Sequence, residues 1–373
     1  METADFLVIG GGIAGAGAAA FLAPVGRTIV LEREEAPGYH TTGRSAALFH
    51  ASYGPPVIRA LARASWPFLE TPPEGFSEAP LIAPRGAVTF APPGAEARLE
   101  AFFAEIAEGA PEAALLDRAE TLARAPVLRP QAVGAAIWEP AVVDLDVHAI
   151  LAGYLRRLSA AGGRLVTGAE VTAITRMRRS WRVATNAGDF AAPVVVNAAG
   201  AWADVIAERA GIAPIGLVPK RRTAVTFDPP DGLDVRGLPL IGDLDDTFYL
   251  RPEGGGLMAS PSDETPSPPC DARPEELDIA ITLDRLARMT TLAPRRIGHA
   301  RAGLRSFVAD GAPVVGMAED GFFWLAGQGG YGIETSPALS RTAAALVIGA
   351  GVPADIAACG VTAAALSPAR LTG

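Results

Sequence analysis

The chain has 373 residues, 49% of them hydrophobic and 20% charged, a balance that excludes a disordered or fibrous protein and suits two structural units with sizeable cores. A formal net charge of −9 excludes a basic footprint for nucleic acid and gives no attraction to an anionic membrane surface. The two cysteines, Cys270 and Cys359, stand in no metal or redox spacing, so neither a disulfide framework nor a metal site is expected, and a reducing compartment fits.

Residues 1–12 (METADFLVIGGG) enter a strand pattern directly, with no basic leader and no cleavage site. The most apolar late stretch, residues 342–354 (TAAALVIGAGVPA), holds Gly and Pro and is too short to span a bilayer. A cytoplasmic protein without an integral membrane segment is expected. Peripheral membrane contact and the oligomeric state, a monomer included, stay open.

Residues 5–9 (DFLVI) are an apolar run suited to a buried parallel strand. Gly10, Gly12 and Gly15 follow as G-x-G-x-x-G, with Ala19 and Leu22 at helical spacing behind them. Gly10 permits the tight turn, Gly12 lets a pyrophosphate approach the backbone, and Gly15 lets helix and strand pack closely. The phosphate would sit at the helix N-terminus, where free N–H groups and the dipole favour an anion. A second strand at 27–31 (RTIVL) ends at Glu32, a carboxylate 20 residues after Gly12, placed to accept from a ribose hydroxyl and to repel a 2′-phosphate. Alone, the glycine pattern could equally mark a tight strand–helix contact; the strand, the helix and Glu32 together favour a nucleotide.

A simple NAD domain would now continue to another helix and strand. Instead residues 33–54 (REEAPGYHTTGRSAALFHASYG) form a polar, glycine-containing loop. At this point the sequence resembles the D-amino-acid oxidase-like family of FAD-dependent amine oxidoreductases, and within that family the bacterial D-arginine dehydrogenases. Residues 38–47 (GYHTTGRSAA) are similar to the family's second flavin-contact loop, and 194–203 (VVVNAAGAWA) to its central strand and turn beside the cofactor. Residues 219–222 (PKRR), 245–252 (DDTFYLRP), 303–311 (GLRSFVADG) and 327–339 (GQGGYGIETSPAL) also match in order and spacing, so the resemblance covers essentially the whole chain. It implies bound FAD. The cofactor contacts it implies are Gly10, Gly12, Ile13, Ala14, Gly15, Glu32 and Arg33, then Thr42, Gly43, Arg44, Ser45 and Ala46. Val171, Ala199, Gly200 and Trp202 follow, and finally Gly303, Arg305, Gly329, Gly330, Tyr331, Gly332 and Ile333. No cysteine lies at 300–315, where some sarcosine-oxidase-type relatives attach flavin, so the FAD is expected to be noncovalent.

The expected fold class is α/β: a Rossmann-like FAD-binding domain with a second, α+β substrate domain built on a mixed or antiparallel sheet. The FAD domain is discontinuous, from 1–80, 145–215 and 300–373; the substrate domain comes from 81–144 and 216–299. Alternating stretches at 87–90 (AVTF), 223–227 (TAVTF) and 247–250 (TFYL) read as its antiparallel strands. In the FAD domain a helix is expected at 146–161 and strands at 163–166, 170–174, 181–184 and 194–197. Further strands at 313–316 and 322–326 flank an Asp320-Gly321 turn, and a long Ala-rich helix follows Gly332. The Pro-rich segment 260–276 reads as a surface loop.

Oxidation of an amino acid at a flavin requires a held carboxylate, an α-hydrogen facing flavin N5 and a neutral amine. The resemblance assigns the carboxylate clamp to Arg222 and Arg305, whose planar forks meet a carboxylate bidentately; by position alone both could be surface ion pairs. Lys220 and Arg221 read as solvated or cofactor-side charges. Tyr249 and Tyr53 are the matching tyrosines that bond the carboxylate and enclose the substrate, with Tyr53 on a lid at 48–54. The glycines at 327–332 precede a helix; they could serve packing alone, but the resemblance implies that its N-terminus faces the flavin's pyrimidine side, where its dipole would stabilise negative charge on reduction. His40 and His50 are not assigned as acid or base.

The chain departs from D-arginine dehydrogenase in the side-chain pocket. An acid that pairs with the guanidinium there is Ala87 here, a lid His is Leu48, and Leu240 and Gly242 stand for Met and Val; Gly332 completes the pocket. The expectation is a roomier, apolar pocket that prefers neutral, apolar or aromatic D-amino acids, because burying an unpaired guanidinium is costly. Ala87→Glu should then raise activity on D-Arg. The expected reaction is oxidative deamination of a D-amino acid to a 2-oxo acid and ammonia, with an electron acceptor the sequence does not identify. A glycine- or sarcosine-type amine oxidase and a non-catalytic flavin-binding subunit of a complex are the alternatives.

Overall fold

The computed structural model describes residues 1–107 and 109–371. Four apolar runs, Phe6–Ile9, Thr28–Leu31, Val194–Asn197 and Phe322–Ala326, have no polar face to offer water, and all but Val194 among their residues are buried. Such runs make parallel strands covered on both sides. The sheet they form reads, edge to edge, Arg164–Val166, Thr28–Leu31, Phe6–Ile9, Val194–Asn197, Phe322–Ala326 and Val314–Glu319. Its first five strands are parallel and the last is antiparallel.

Helix Ile13–Leu22 packs against helices Val147–Ala160 and Ser336–Val347 on one face of this sheet. Val8, Ala18, Leu22, Leu325 and Leu339 form the core between them. On the other face Leu7, Ile29, Val195 and Trp324 meet Trp181 and Phe190. Those two residues belong to a four-stranded sheet ordered Glu2–Thr3, Gly188–Ala192, Trp181–Thr185 and Val171–Arg176.

A separate eight-stranded sheet runs His299–Phe307, Val218–Phe227, Gly256–Ser260, Tyr249–Glu253, Leu240–Asp243, Ala87–Ala91, Ala135–Glu139 and Ala114–Leu116. Every pair is antiparallel except Leu240–Asp243 with Ala87–Ala91. Helices Glu96–Ile106, Arg118–Arg124 and Glu276–Met289 lie on it. A small sheet of Leu48–Phe49, Val143–Leu145 and Ile82–Pro84 borders the site. Among the described residues no helix is long and apolar enough to cross a membrane.

The expected strands at 194–197 and 322–326 are found with those bounds, and the helix at 146–161 is Val147–Ala160, N-capped by Asp146. The strand read at 247–250 is Tyr249–Glu253: Asp243 holds Thr247 and Phe248 in the preceding turn through Thr247 N (2.8 Å) and Phe248 N (2.6 Å). Helices Pro56–Glu70, Glu96–Ile106, Arg118–Arg124 and Glu276–Met289 were not anticipated. In the first, Ile58, Leu61, Ala62 and Leu69 do share a buried stripe, but Pro67 interrupts the pattern.

Candidate active site

The strand Phe6–Ile9 ends at Gly10, whose φ is +108° and where a Cβ would lie 2.4 Å from the Ala198 carbonyl oxygen. No other residue type fits there without moving the neighbouring strand end. A Cβ on Gly15 would lie 1.9 Å from the Gly10 oxygen, so Gly15 serves the helix–strand contact and does not line a cavity. Gly12 precedes helix Ile13–Leu22, and Ile13 N donates to Thr42 Oγ1 at 3.0 Å, which draws the short 3-10 turn Thr42–Arg44 across the helix N-terminus. Glu32, 7% exposed, accepts from Gly11 N (2.7 Å) and Glu34 N (2.9 Å), so backbone amides fix its orientation.

Three chambers open in series from this point. The inner one, about 370 Å³, is lined by Gly10, Gly12, Glu32, Arg33, Val171, Ala199, Gly200 and Trp202. Trp202 stands between Arg33 (4.9 Å to the ring centroid) and the His40 ring (4.6 Å). The middle chamber, about 130 Å³, takes Ile13, Ala14, Thr42, Arg44, Ser45 and Ala46 from one side and Gly303, Arg305, Gly329, Gly330, Gly332 and Ile333 from the other. The outer chamber, about 180 Å³, shares Ser45, Ala46, Arg222, Tyr249, Arg305, Gly330 and Ile333 with the middle one, and adds Leu48, Tyr53, Leu240 and Gly242. Gly43 lies on the far side of its loop, and Tyr331 packs on Tyr53 at 5.5 Å instead of lining either chamber.

The two arginines reach the same space because of register. Val218–Phe227 and His299–Phe307 pair antiparallel with Lys220 opposite Arg305 and Arg222 opposite Gly303. Arg222 and Arg305 are therefore diagonal neighbours on one face of the ladder, and the missing side chain at Gly303 leaves room beside Arg222. Arg222 is 7% exposed; its Nη2 donates to Glu264 at 3.3 Å, and its buried Nε has no partner. Arg305 packs on Gly330, where a Cβ would lie 3.0 Å from Cζ. Its guanidinium has no hydrogen-bond or ion-pair partner among the described residues. Burial opposes its charge, but Tyr249, Tyr53, Asp246 and Tyr331 outweigh that and keep it a firm cation. The neighbouring charges are spent elsewhere: Lys220 pairs with Glu264 (2.8 Å), and Arg221 with Glu275 (2.6 Å) and Asp278 (3.2 Å).

Leu48, Leu240 and Gly242 line the outer chamber, which also has an acidic side that the sequence reading lacked. Ala87 is 1% exposed and does not line it, while its cross-strand partner Glu139 does. His50 Nε2 and Glu139 Oε2 are 2.8 Å apart, and Ser52 Oγ donates to the other Glu139 oxygen. Burial would lower the His50 pKa, but the Glu139 carboxylate reverses the effect and raises it. Burial would raise that of Glu139, but His50 and Ser52 hold it below the usual carboxylate range. Tyr53 OH donates to Asp246 at 3.0 Å, and burial and that carboxylate push the phenol upward. Glu334, 4% exposed, accepts from His50 N at 2.9 Å, and burial lifts its pKa to about 8 against the pull of His50 and Arg305. The segment 48–54 is thus tied to three acids. Phe102 and Leu244 complete the wall beside Leu48 and Leu240.

Sequence reasoning missed Glu139, Glu334, Asp246, Ser52 and Phe102. A detectable signal existed for two of them: Glu139 ends an otherwise apolar strand, and Glu334 is the one acid in 327–339. Among the described residues no His, Cys, Asp or Glu group is arranged to hold a metal.

The chain matches the model of the FAD-dependent oxidoreductase family (DAO) over residues 5–346. It is 27% identical over 230 residues to human mitochondrial sarcosine dehydrogenase and 29% identical over 139 residues to human mitochondrial dimethylglycine dehydrogenase. Those alignments take in 57% and 36% of this chain but only 25% and 16% of the relatives, so it spans at most a quarter of their length. Among solved structures, glycine oxidase from Geobacillus kaustophilus shares the fold with a TM-score of 0.81 and 24% identity, covering 93% of this chain and 95% of that one. L-proline dehydrogenase from P. horikoshii gives 0.78 and 22%, covering 93% of each chain. FAD-bound L-alpha-glycerophosphate oxidase from Mycoplasma pneumoniae gives 0.83 and 19%, covering 93% of this chain and 95% of that one. The residues present fit FAD: the glycine cradle opens on the inner chamber, and two buried polar atoms without partners, Arg222 Nε and Gln328 Nε2, belong to side chains that line the middle one.

Proposed function

This chain belongs to the family of FAD-dependent oxidoreductases, and on that premise we propose that it oxidises the Cα–N bond of an amino acid, of D configuration and with an uncharged side chain. The observation that carries the proposal is the pair of guanidiniums on one sheet face. Arg305 has no anionic partner, and Arg222 keeps a free buried Nε. Two cations in one half-dry space favour an anion between them, and a carboxylate matches their planar forks.

Arg222, Arg305 and Tyr249 would hold the carboxylate where the middle and outer chambers meet, which places Cα at the junction and sends the side chain outward. Tyr53, fixed by Asp246, closes the outer side and excludes water. Bound FAD, held by the glycine cradle, Glu32 and the residues of the inner and middle chambers, supplies the two-electron acceptor. The imino acid formed would hydrolyse to a 2-oxo acid and ammonia.

The side-chain preference rests on charge balance. Glu139 is already neutralised by His50 and fully hydrogen-bonded, so a guanidinium would have to displace His50 to gain a partner. The apolar surfaces of Leu48, Phe102, Leu240 and Leu244 suit an uncharged side chain. The D configuration rests on the resemblance of the motifs at 245–252, 303–311 and 327–339 to those of D-arginine dehydrogenases. A glycine- or sarcosine-type amine is the second reading, favoured by the similarity to glycine oxidase and sarcosine dehydrogenase.

Anaerobic mixing of the purified yellow protein with D- and L-amino acids, glycine and sarcosine, following loss of flavin absorbance, separates these readings. Bleaching by D-Leu or D-Phe ahead of D-Arg is the expected result. Bleaching only by glycine or N-methyl substrates selects the second reading, and no bleaching by any of them refutes both in favour of a non-catalytic flavin protein.

A further inference from the structure

Four carboxylates line the outer chamber: Glu139, Asp243, Asp246 and Glu334. Three are used up. Glu139 takes His50 and Ser52, Asp243 takes Thr247 and Phe248, and Asp246 takes Tyr53 and Ser262, each with both oxygens engaged. Glu334 alone has one oxygen satisfied, by His50 N at 2.9 Å, while its second oxygen has no hydrogen bond among the described residues. That oxygen is not sealed in the protein: Glu334 lines the outer chamber and the atom keeps contact with its open space. It directly follows Ile333, which with Gly330 and Arg305 lines both chambers and so marks their junction. An amino acid whose carboxylate meets Arg305 would carry its nitrogen one carbon from that junction.

We propose that Glu334 accepts the proton of the substrate's α-ammonium through this free oxygen, a role that rests on the amino-acid reading above. The N–H bond breaks, an O–H bond forms on Glu334, and the electron pair stays on nitrogen. That pair becomes the second bond of C=N when Cα is oxidised; an ammonium, having no lone pair, cannot supply it. The charged groups facing Glu334 are His50 from the 48–54 segment, Arg305 from its strand and Tyr331 from its own turn; Glu139 stands behind His50. Burial lifts the acid to about 8, so it holds its own proton near neutrality and becomes able to take the substrate's as pH rises through that value.

The test is the rate of anaerobic flavin bleaching against pH for wild type and Glu334→Gln, whose amide oxygen can still accept from His50 N. Wild type should show a rising limb at about pH 8. Glu334→Gln should be about 10²-fold slower near neutrality, with the limb moved up to the substrate's own ammonium pKa. Affinity for a simple aliphatic carboxylate lacking an amine, read from the flavin spectrum, should stay within about twofold in the variant. Identical pH profiles in the two proteins overturn the proposal, as does an equal loss of carboxylate affinity and rate, which would make Glu334 only a prop for the 48–54 segment. If the variant does not fold, wild type alone decides. A β-trifluorinated amino acid, whose amine is already neutral near pH 7, should lose the limb, and a limb that persists unchanged overturns the role. Failure of every amino acid to bleach the flavin would instead sink the amino-acid reading itself.

Discussion

Glu139→Gln isolates the ion pair that stands beside the apolar wall of the outer chamber. Glu139 is 4% exposed and lies 2.8 Å from His50, so the pair acts in a poorly screened setting. A charge-assisted hydrogen bond there contributes about 1.5–3 kcal/mol, and leaving a buried partner alone raises the loss to about 3–5 kcal/mol. His50 can avoid the upper figure by giving up its proton, which places the expected loss near 3 kcal/mol. Spread over 373 residues, that lowers the melting temperature by about 4 °C. The pH dependence is the sharper reading. His50 is raised above its ordinary 6.5, so its contribution is complete below that value and is lost as pH climbs through the folded pKa. Glu139 is lowered below its ordinary 4.5, so its share is complete above that value and is lost as pH falls through the folded pKa. The difference between wild type and variant should therefore be largest at about pH 5–6 and shrink under alkaline conditions. Thermal melts of the FAD-loaded proteins across that range measure it. A difference that is the same at acid and alkaline pH, or that stays under about 1 °C throughout, refutes the assignment of an ionised pair.

Ala87→Glu should cost about 2–4 kcal/mol in thermal or urea unfolding and bring no gain on D-Arg, because the new side chain overpacks a buried site directly opposite Glu139. Arg222→Met should lower kcat/KM for an amino acid about 10²-fold or more, most of it as weaker binding, measured by steady-state kinetics and by carboxylate titration of the flavin spectrum. Gly10→Ala should abolish stoichiometric FAD in the purified protein, since its Cβ would sit 2.4 Å from the Ala198 oxygen at a φ of +108°. Glu334→Gln should melt higher than wild type above about pH 8, and the gain should fade toward pH 4.5: a carboxyl raised from 4.5 to about 8 stays protonated in the folded state while the unfolded chain ionises, so wild-type stability falls with rising pH across that window.

The glycine-turn half of the site was legible because its demands are local. A tight turn, a helix start and a buried acid fall within residues 10–32, and Gly10 and Gly12 line the cavity while Gly15 serves the packing contact. The substrate half depends on pairings that no local pattern carries. Ala87 is adjacent to Glu139 only because two strands 48 residues apart at their start pair antiparallel in that register. The missing acid followed directly: the reading looked for one at position 87, whereas the ladder supplies it from the neighbouring strand. Glu334 was overlooked for a different reason, since its run was read for its glycines alone.

Placement of the charges on one ladder explains how the chamber tolerates so many of them. Arg222 and Arg305 come from the two strands at one edge of the eight-stranded sheet, while Glu139 comes from the next-to-last strand at the other. Neighbouring strands are about 4.8 Å apart, so Glu139 is held well away from the two arginines by backbone rather than by side-chain choice. Glu139 cannot collapse onto the arginines; Arg222 reaches Glu264 instead, and Arg305 has no ion-pair partner among the described residues. Bringing the two ends together is left to whatever bridges the chamber, and a zwitterion does so with its negative end at the arginines and its positive end near the one acid that still has an oxygen to offer. On this reasoning an amine lacking the carboxylate should bind no better to wild type than to Arg222→Met, and a carboxylate lacking the amine should bind almost equally to wild type and Glu334→Gln. The reverse pattern would place the substrate the other way round in the chamber.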